Sequence, residues 1–428
     1  MEYGVLGRVL QHSWSPQLHG MLADYDYQLI PKETPELARE FLLNKEYKGV
    51  NVTIPYKGLA FEVCDQVDEG ARLTGAVNTV VNRNGRLYGY NTDIAGFKAL
   101  AQRAGVEFRG RDVLILGTGG TAHTALAVVK AAGASEVHFV SRTPKEGQLS
   151  YREAEARRSV QVIVNTTPVG MHPNSGERSI DPALFPNLEA VLDVVYNPLR
   201  TRLVSEAAEL GAKSMGGLFM LVEQARAASE KFTGGVIPPQ KADEVYRRLV
   251  MQCSNICLIG MPSCGKSSIG RKLARRMGRP FVDADRALEE DEGCSVAVMF
   301  KMWGEPGFRQ RESRCIAKIA EGSGQVIACG GGGVEREENI RALRRNGVLV
   351  FIDRPVSGLR VGGRRPLSTS VEALRRMEKR RRPLYKAAAD LRVANTGGLF
   401  REAMLRVEEE LYAYFGVERP KPQSSGPA

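Results

Sequence analysis

Ile256-Cys257-Leu258-Ile259-Gly260-Met261-Pro262-Ser263-Cys264-Gly265-Lys266-Ser267-Ser268 is the stretch on which the reading of this chain turns. Four apolar residues, Ile256 to Ile259, predict a buried strand, and the turn after them has the spacing G-x-x-x-x-G-K-S ahead of a helical pattern. Such a turn wraps so that successive backbone N–H groups point at one phosphate, with the positive end of the next helix behind them. Lys266 would span the β- and γ-phosphates, and the Ser267 hydroxyl would ligate Mg²⁺. Gly260, Met261, Pro262, Ser263, Cys264, Gly265, Lys266, Ser267 and Ser268 therefore form a candidate ATP cradle. A plain glycine turn with a solvated lysine is the competing explanation, and the flanking strand and helix weigh against it.

Downstream, a generic nucleotide triphosphatase would place a magnesium-supporting Asp at the end of another strand. Here Val326 to Cys329 runs into Gly330, Gly331, Gly332 and Gly333, and the acids stand earlier, as Asp283-Ala284-Asp285. Strands are expected at Phe281 to Asp283, Val326 to Ala328 and Val348 to Ile352, with helical patterns between them, which is the signature of a parallel sheet.

Upstream lies a second glycine turn. Asp112 to Leu116 predicts a strand that leads into Gly117-Thr118-Gly119-Gly120-Thr121-Ala122 at the start of a helix of small residues. This only loosely fits the dinucleotide fingerprint, and a structural turn competes with it. The next predicted strand, Glu136 to Val140, sharpens the reading. An NAD enzyme would end it with an acid for the ribose hydroxyls, whereas this chain has Ser141-Arg142-Thr143, and an arginine there selects the 2′-phosphate of NADP. Short strands at Tyr3 to Leu6 and Gly49 to Thr53 precede this unit. Further strands at Val160 to Val164 and Val191 to Val194, then helices at Phe219 to Phe232 and Gln240 to Val250, follow it.

At 428 residues the chain exceeds one ordinary core, and 43% hydrophobic with 25% charged residues is the balance of a globular protein. The start lacks a basic then apolar leader, and no apolar run reaches membrane-spanning length, so a cytoplasmic protein without a membrane partner is expected. Seven cysteines without a C-x-x-C pair suggest neither a disulfide framework nor a zinc site. The net charge of +11 suits anionic substrates as well as nucleic acid. The densest basic run, Arg375 to Arg382, has no interleaved aromatics to stack on bases, so no nucleic-acid partner is expected.

From Cys253 to Phe415 the chain resembles shikimate kinases, through GMPSCGKS, FVDAD, GEPGFR, VIACGGG, RRPLS and RRPLY. The resemblance implies that Asp283 supports Mg²⁺ through water, and that Asp285 holds shikimate hydroxyls and helps deprotonate the attacking one. It implies that Arg309 and Arg381 grip the substrate carboxylate, Gly330, Gly331 and Gly332 let the backbone approach the ring, and Arg365 closes over ATP as a lid arginine. A guanidinium fork suits a carboxylate, which makes the arginine roles physically sensible. The stretch from Leu359 to Arg365 is shorter than most lids of that family, so adenine contacts made there do not carry over.

From Tyr3 to about Val250 the chain resembles shikimate dehydrogenases, through HSWSPQLHG, GVNVTIPYK, GAVNTV, GYNTDIAGF, GTGGTA, NTTPVGM, DVVYNP and GGLFMLVEQA in that order. The resemblance implies that Ser13 and Ser15 bind the substrate carboxylate, and that Thr53, Asn78 and Gln224 hold ring hydroxyls. Lys57 and Asp93 would be the catalytic pair, Tyr196 a substrate-site tyrosine, and His12 and His19 would orient the substrate loop. Asn165, Thr166, Gly217 and Met220 would lie near the cofactor, with Gly117, Gly119, Gly120, Thr121, Ala122, Ser141, Arg142 and Thr143 contacting NADP(H). Departures from the pattern are the short segment Pro144 to Gln161, which implies an abbreviated helix, Ser141 in place of a frequent Asn, and His123 with Thr124 on the fingerprint helix.

The expected architecture is α/β throughout: a substrate domain at 1–95 completed by 216–250, a Rossmann NADP domain at 96–215, a P-loop kinase domain with a parallel sheet at 253–417, and a disordered tail at 418–428. The expected cofactors are NADP(H), ATP and Mg²⁺, and the expected substrates are 3-dehydroshikimate and shikimate. The reading to set against it is a catabolic NAD-dependent quinate/shikimate dehydrogenase with a non-catalytic ATP- or shikimate-sensing module, or a DNA-associated regulator. The sequence leaves monomer and homodimer open.

Overall fold

Apolar runs stopped by glycine, asparagine or aspartate become strands buried on both faces. The computed structural model describes residues 2–10, 13–360, 370–396 and 400–420; His12, Arg365 with the rest of RRPLS, and 421–428 of the tail lie outside the described residues. The chain divides into two compact units, Met1–Tyr246 and Arg247–Ala428.

The first unit opens with β1 (Tyr3–Gly7), β2 (Tyr27–Pro31), β3 (Gly49–Val52), β4 (Gln66–Val67), β5 (Thr79–Arg83) and β6 (Arg86–Tyr90). They form one sheet in the order β2-β1-β3-β5-β6-β4. The β5–β6 hairpin turns through Asn84 and Gly85, both at positive φ (51° and 82°), the pairing that matches the twist of antiparallel strands.

Next come β7 (Asp112–Leu116), β8 (Glu136–Val140), β9 (Val162–Asn165), β10 (Ala190–Asp193) and β11 (Lys213–Met215), paired in parallel in the order β11-β10-β9-β7-β8. Register places Leu116 beside Asn165, and Asn165 beside Asp193, so three neighbouring strands end at one level. Ligands of open parallel sheets bind outside such carboxyl ends. The helix between β8 and β9 is only Tyr151–Ala156, started by a Ser150/Glu153 capping box.

After the Rossmann strands the chain returns. Helix Leu218–Thr233 packs on helices Asp93–Arg103 and Ser15–Leu22. Gly96 permits the first contact, because a Cβ there would stand 2.6 Å from the Met220 carbonyl oxygen.

The second unit contains β12 (Asn255–Ile259), β13 (Phe281–Asp283), β14 (Val326–Ala328), β15 (Gly347–Asp353) and β16 (Leu391–Ala394), all parallel, in the order β13-β14-β12-β15-β16. The apolar faces of β12, β14 and β15 form its core with helices Lys266–Met277 and Phe400–Phe415. In the long helix Val296–Ala320, Gly304 at φ 62° breaks the helical path, and Pro306 sits where a new first turn tolerates it. Arg309 thus lies just past the break, buried. Residues 418–420 have no regular structure. No helix among the described residues is long and apolar enough to cross a membrane.

Candidate active sites

In the first unit a cavity of about 250 Å³ opens at the ends of β3, β5 and β10. Ser15, Thr53, Lys57, Asn78, Asp93 and Gln224 line it, brought together from separate stretches of sequence. Thr121, Tyr196, Gly217 and Met220 close the side toward the glycine turn. Ser13 is not on the wall, but its Oγ donates to Ser15 Oγ at 3.1 Å. The cavity is therefore rimmed by hydroxyls and amides and holds one close ion pair: Lys57 Nζ lies 2.6 Å from Asp93 Oδ2, both side chains largely buried.

Asn78 is itself held from behind. Its Oδ1 accepts from the Thr92 amide at 2.8 Å and from the Thr79 hydroxyl at 3.1 Å. Asn51 also lines the cavity and was not singled out from the sequence; its Nδ2 donates to Thr79 Oγ1 at 3.0 Å, and it accepts from the Tyr27 hydroxyl at 2.6 Å. The signal for it was present in Gly49-Val50-Asn51-Val52, where a polar residue interrupts a strand buried throughout.

His19 sits deep beneath this wall, its Nδ1 2.6 Å from the Tyr25 hydroxyl and 3.1 Å from Ser229 Oγ, its ring stacked on Tyr27 at 4.1 Å. Burial drives its pKa down to about 3, against a hydrogen bond with Asn51 that favours the charged form.

The glycine turn follows β7. Gly117 takes φ 103°, and a Cβ there would meet Thr166 Oγ1 at 2.9 Å, so only glycine lets the turn and the β9 end approach so closely. Around Gly119 and Gly120 there is open space at the start of helix Gly120–Ala131, where amides are free to face an anion, and Thr121 and Ala122 form its first turn. At the end of β8, Arg142 and Thr143 are exposed; the Thr143 amide donates to Ser141 Oγ, and Arg142 forms no ion pair among the described residues. This donor set fits a dinucleotide carrying an extra phosphate.

Asn165 and Thr166 are bonded inward: Thr166 Oγ1 donates to the Leu116 carbonyl at 2.7 Å, and Asn165 Nδ2 donates to Asp193 Oδ1 at 2.9 Å. Asp193 is fully buried, and burial pushes its carboxyl up to about 7 against hydrogen bonds from Thr201, Val195 and Asn165.

In the second unit a cavity of about 490 Å³ lies over the carboxyl ends of β12, β13 and β14. Pro262, Ser263, Gly265, Lys266, Ser267 and Ser268 form one wall, while Gly260, Met261 and Cys264 are buried beneath it. Gly265 adopts φ 106° just before helix Lys266–Met277, the geometry that turns the loop amides inward. Lys266 Nζ donates to the Gly260 and Met261 carbonyls at 2.8 and 3.0 Å, lying across the loop. Ser267 Oγ donates to Asp283 Oδ2 at 2.6 Å, which brings two hard oxygen donors together, a set that fits Mg²⁺.

Opposite stand Asp285, Arg309, Gly331, Gly332 and Arg381. Gly330 lies just behind, where a Cβ would meet Asp285 Oδ1 and Glu312 Oε1 at 2.7 Å each. A Cβ on Gly332 would stand 2.2 Å from Arg309 Nη1, so the glycine run leaves room for that guanidinium. Arg309 donates to Glu312 at 2.7 Å, Glu305 at 3.0 Å and Glu335 at 2.9 Å. Arg381, only 2% exposed, donates from Nη2 to the same Glu335 oxygen at 2.9 Å, and its Nη1 meets the Met377 thioether. Its Nε–H has no acceptor among the described residues. A buried guanidinium with an unsatisfied edge on a cavity wall is a place for an anion.

Burial raises the Glu312 carboxyl, opposed by Arg309, whereas Glu335 is held below the ordinary range because Arg381, Arg309 and Arg380 outweigh its desolvation. Glu335 was missed from the sequence, where it reads as one more charge in Glu335-Arg336-Glu337-Glu338; Arg360, which also lines the cavity, lay in the segment read only as a short lid.

Fold and cavities together define a Rossmann oxidoreductase unit followed by a P-loop phosphotransferase unit. A family model described as shikimate dehydrogenase substrate binding domain matches residues 5–80, and one described as shikimate kinase matches 262–411. The NADP(+)-dependent shikimate dehydrogenase of Clostridium perfringens (strain 13) is 33% identical over 58% of this chain and 97% of its own length. Among solved structures, a chorismate mutase/shikimate 5-dehydrogenase fusion protein from Clostridium acetobutylicum is 32% identical with TM-score 0.55, covering 58% of this chain and 96% of that one. Shikimate 5-dehydrogenase of Thermus thermophilus, solved with NADP(H) and shikimate, is 31% identical with TM-score 0.53, covering 58% of this chain and 99% of that one. The chain belongs to the shikimate dehydrogenase family and carries a shikimate kinase domain fused after it.

Proposed function

We propose that the first unit reduces 3-dehydroshikimate to shikimate with NADPH, and that the second phosphorylates shikimate with ATP, in a single bifunctional enzyme. The observation that carries this reading is the presence of two separate cavities, one built around the Lys57–Asp93 pair and one between the Lys266 loop and the Arg309–Arg381 pair.

Bound NADPH supplies the hydride for the ketone carbon of 3-dehydroshikimate. The Lys57 ammonium, oriented by Asp93, gives a proton to the ketone oxygen, and in reverse its amine takes the hydroxyl proton. Ser13 and Ser15 bind the substrate carboxylate; Thr53, Asn78, Gln224 and Tyr196 hold the ring. Gly117, Gly119, Gly120, Thr121 and Ala122 receive the pyrophosphate, and Ser141, Arg142 and Thr143 the 2′-phosphate. Asn165, Thr166, Gly217 and Met220 border the nicotinamide, the first two by fixing the turn that carries it.

In the second unit, Mg-ATP when bound brings the phosphoryl group and the metal charge that steadies it. Ser267, with Asp283 beside it, would hold the ion. Asp285 aligns the acceptor hydroxyl and takes its proton as the oxygen–phosphorus bond forms and ADP leaves. Arg381, whose buried Nε–H has no acceptor among the described residues, and Arg309 bind the acceptor's carboxylate against Gly330, Gly331 and Gly332. Arg365 is assigned to the lid from the sequence.

The substrate part of the dehydrogenase is assigned to 1–95 with 216–250, its cofactor part to 96–215 and the kinase to 253–417. Work in the cytoplasm is supported by seven unpaired thiols. The test is a single reaction with 3-dehydroshikimate, NADPH and Mg-ATP, in which NADPH loss and shikimate 3-phosphate are both followed. NADPH consumption without the phosphate ester overturns the kinase assignment, and ester formed only from added shikimate overturns the reductase assignment.

A further inference from the structure

Glu335 is the last residue of a 3-10 turn, Gly333–Glu335, that directly continues the glycine run on the kinase cavity wall. Its Oε2 accepts from Arg309 Nη2 and Arg381 Nη2, each at 2.9 Å, and its Oε1 accepts from Arg380 Nη2 at 2.6 Å. Arg309 and Arg381 line the cavity, whereas Glu335 is not on its wall, so the carboxylate grips the two guanidiniums from behind. The shared carboxylate offsets the repulsion between two buried guanidiniums and ties Arg381 to Arg309, which Glu312 and Glu305 hold from its other side.

The same helix, Val371–Ala388, holds this turn at a second point. One turn after Arg381, the Tyr385 hydroxyl donates to the Gly331 carbonyl. The carboxylate clamp and the glycine wall that faces the acceptor ring are therefore fixed by one short segment tied twice to one helix.

We propose that Glu335 is a positioning residue for phosphoryl transfer: it holds Arg309 and Arg381 together on the cavity wall, where the two guanidiniums meet the acceptor's carboxylate. This rests on the kinase reading above. A residue that acts only through those arginines should govern acceptor affinity and leave nucleotide affinity alone.

In the full chain, Glu335→Gln keeps the shape and removes the charge. The expected result is a rise of about tenfold or more in the KM for shikimate, the scale of a weakened charged hydrogen bond, with kcat and the KM for ATP changing far less. An unchanged shikimate KM overturns the proposal. So does a lower one, because it makes Glu335 a competitor for the arginines rather than their support. If Glu335→Gln also loses ATP affinity, Glu335→Asp, which keeps the charge but stands one methylene short, carries the test: a raised shikimate KM at normal ATP KM supports the proposal, and an unchanged one sinks it. Wild-type chain that fails to phosphorylate shikimate at all would instead defeat the kinase reading, and the two failures are distinct.

Discussion

Lys57 Nζ stands 2.6 Å from Asp93 Oδ2, and each residue is the first of its helix, Lys57–Val63 and Asp93–Arg103. A helix start repels a cation and attracts an anion, so Asp93 sits where its charge is favoured and offsets the unfavourable place of Lys57. Lys57→Ala should lower the kcat for 3-dehydroshikimate reduction by about 10²–10⁴-fold, the usual worth of a positioned acid or base. Phosphorylation of added shikimate by the same protein should be unchanged. Joint loss of both activities contradicts two separable sites.

The converse substitution lies in the second unit. Lys266 reaches across its own loop to the Gly260 and Met261 carbonyls, poised where the terminal phosphates would sit. Lys266→Ala should lower phosphoryl transfer to shikimate by about 10²-fold or more, since preorganised charge at the transferring group is a large share of such catalysis. NADPH oxidation in that variant should match the wild type when measured with 3-dehydroshikimate alone.

Arg142, the residue proposed to receive the 2′-phosphate, is exposed beyond β8. Arg142→Glu should raise the KM for NADPH by about 10- to 100-fold, the worth of a hydrogen bond between charged groups, and narrow or invert the preference over NADH. Steady-state kinetics with both cofactors decides this; an unchanged ratio places the 2′-phosphate elsewhere.

Acid should loosen the first unit through His19. The imidazole takes a proton near 6.5 when exposed, but only at about 3 in its buried place. Between those values the unfolded chain binds more protons than the folded one, so stability declines as pH falls through that window, by up to about 1.4 kcal/mol per unit from this group. Thermal unfolding of wild type and His19→Gln between pH 7 and pH 4 should give a shallower pH slope for the variant. Parallel slopes would mean that another group carries the acid sensitivity.

Much of this was legible because some spacings are chemistry in themselves. The Gly260 to Ser267 turn and the Arg142 position at the end of β8 can be read without a fold, since each matches a spacing suited to a phosphate of fixed shape. Strands β7, β9 and β10 were equally plain, their apolar runs being buried on both faces, whereas the edge strand β11, Lys213–Met215, short and partly exposed, was not foreseen. Edge strand β2 was not, because Tyr27–Pro31 mixes exposed residues with one buried Ile30 and ends in proline. Glu335 was hidden for a different reason: which charge pairs with a buried arginine depends on where a turn passes in space, and a run of alternating acids and bases gives no local hint. Asn51 fell between these cases, polar in a buried strand yet explained only once Tyr27 and Thr79 were seen beside it.

Carrying both cradles on one backbone has a stoichiometric effect. Every translated copy delivers one reductase and one phosphotransferase, so gene dosage, promoter strength or proteolytic turnover of the whole polypeptide cannot tilt their ratio. Any difference in throughput between the two steps then has to arise from the properties of the two units rather than from their amounts.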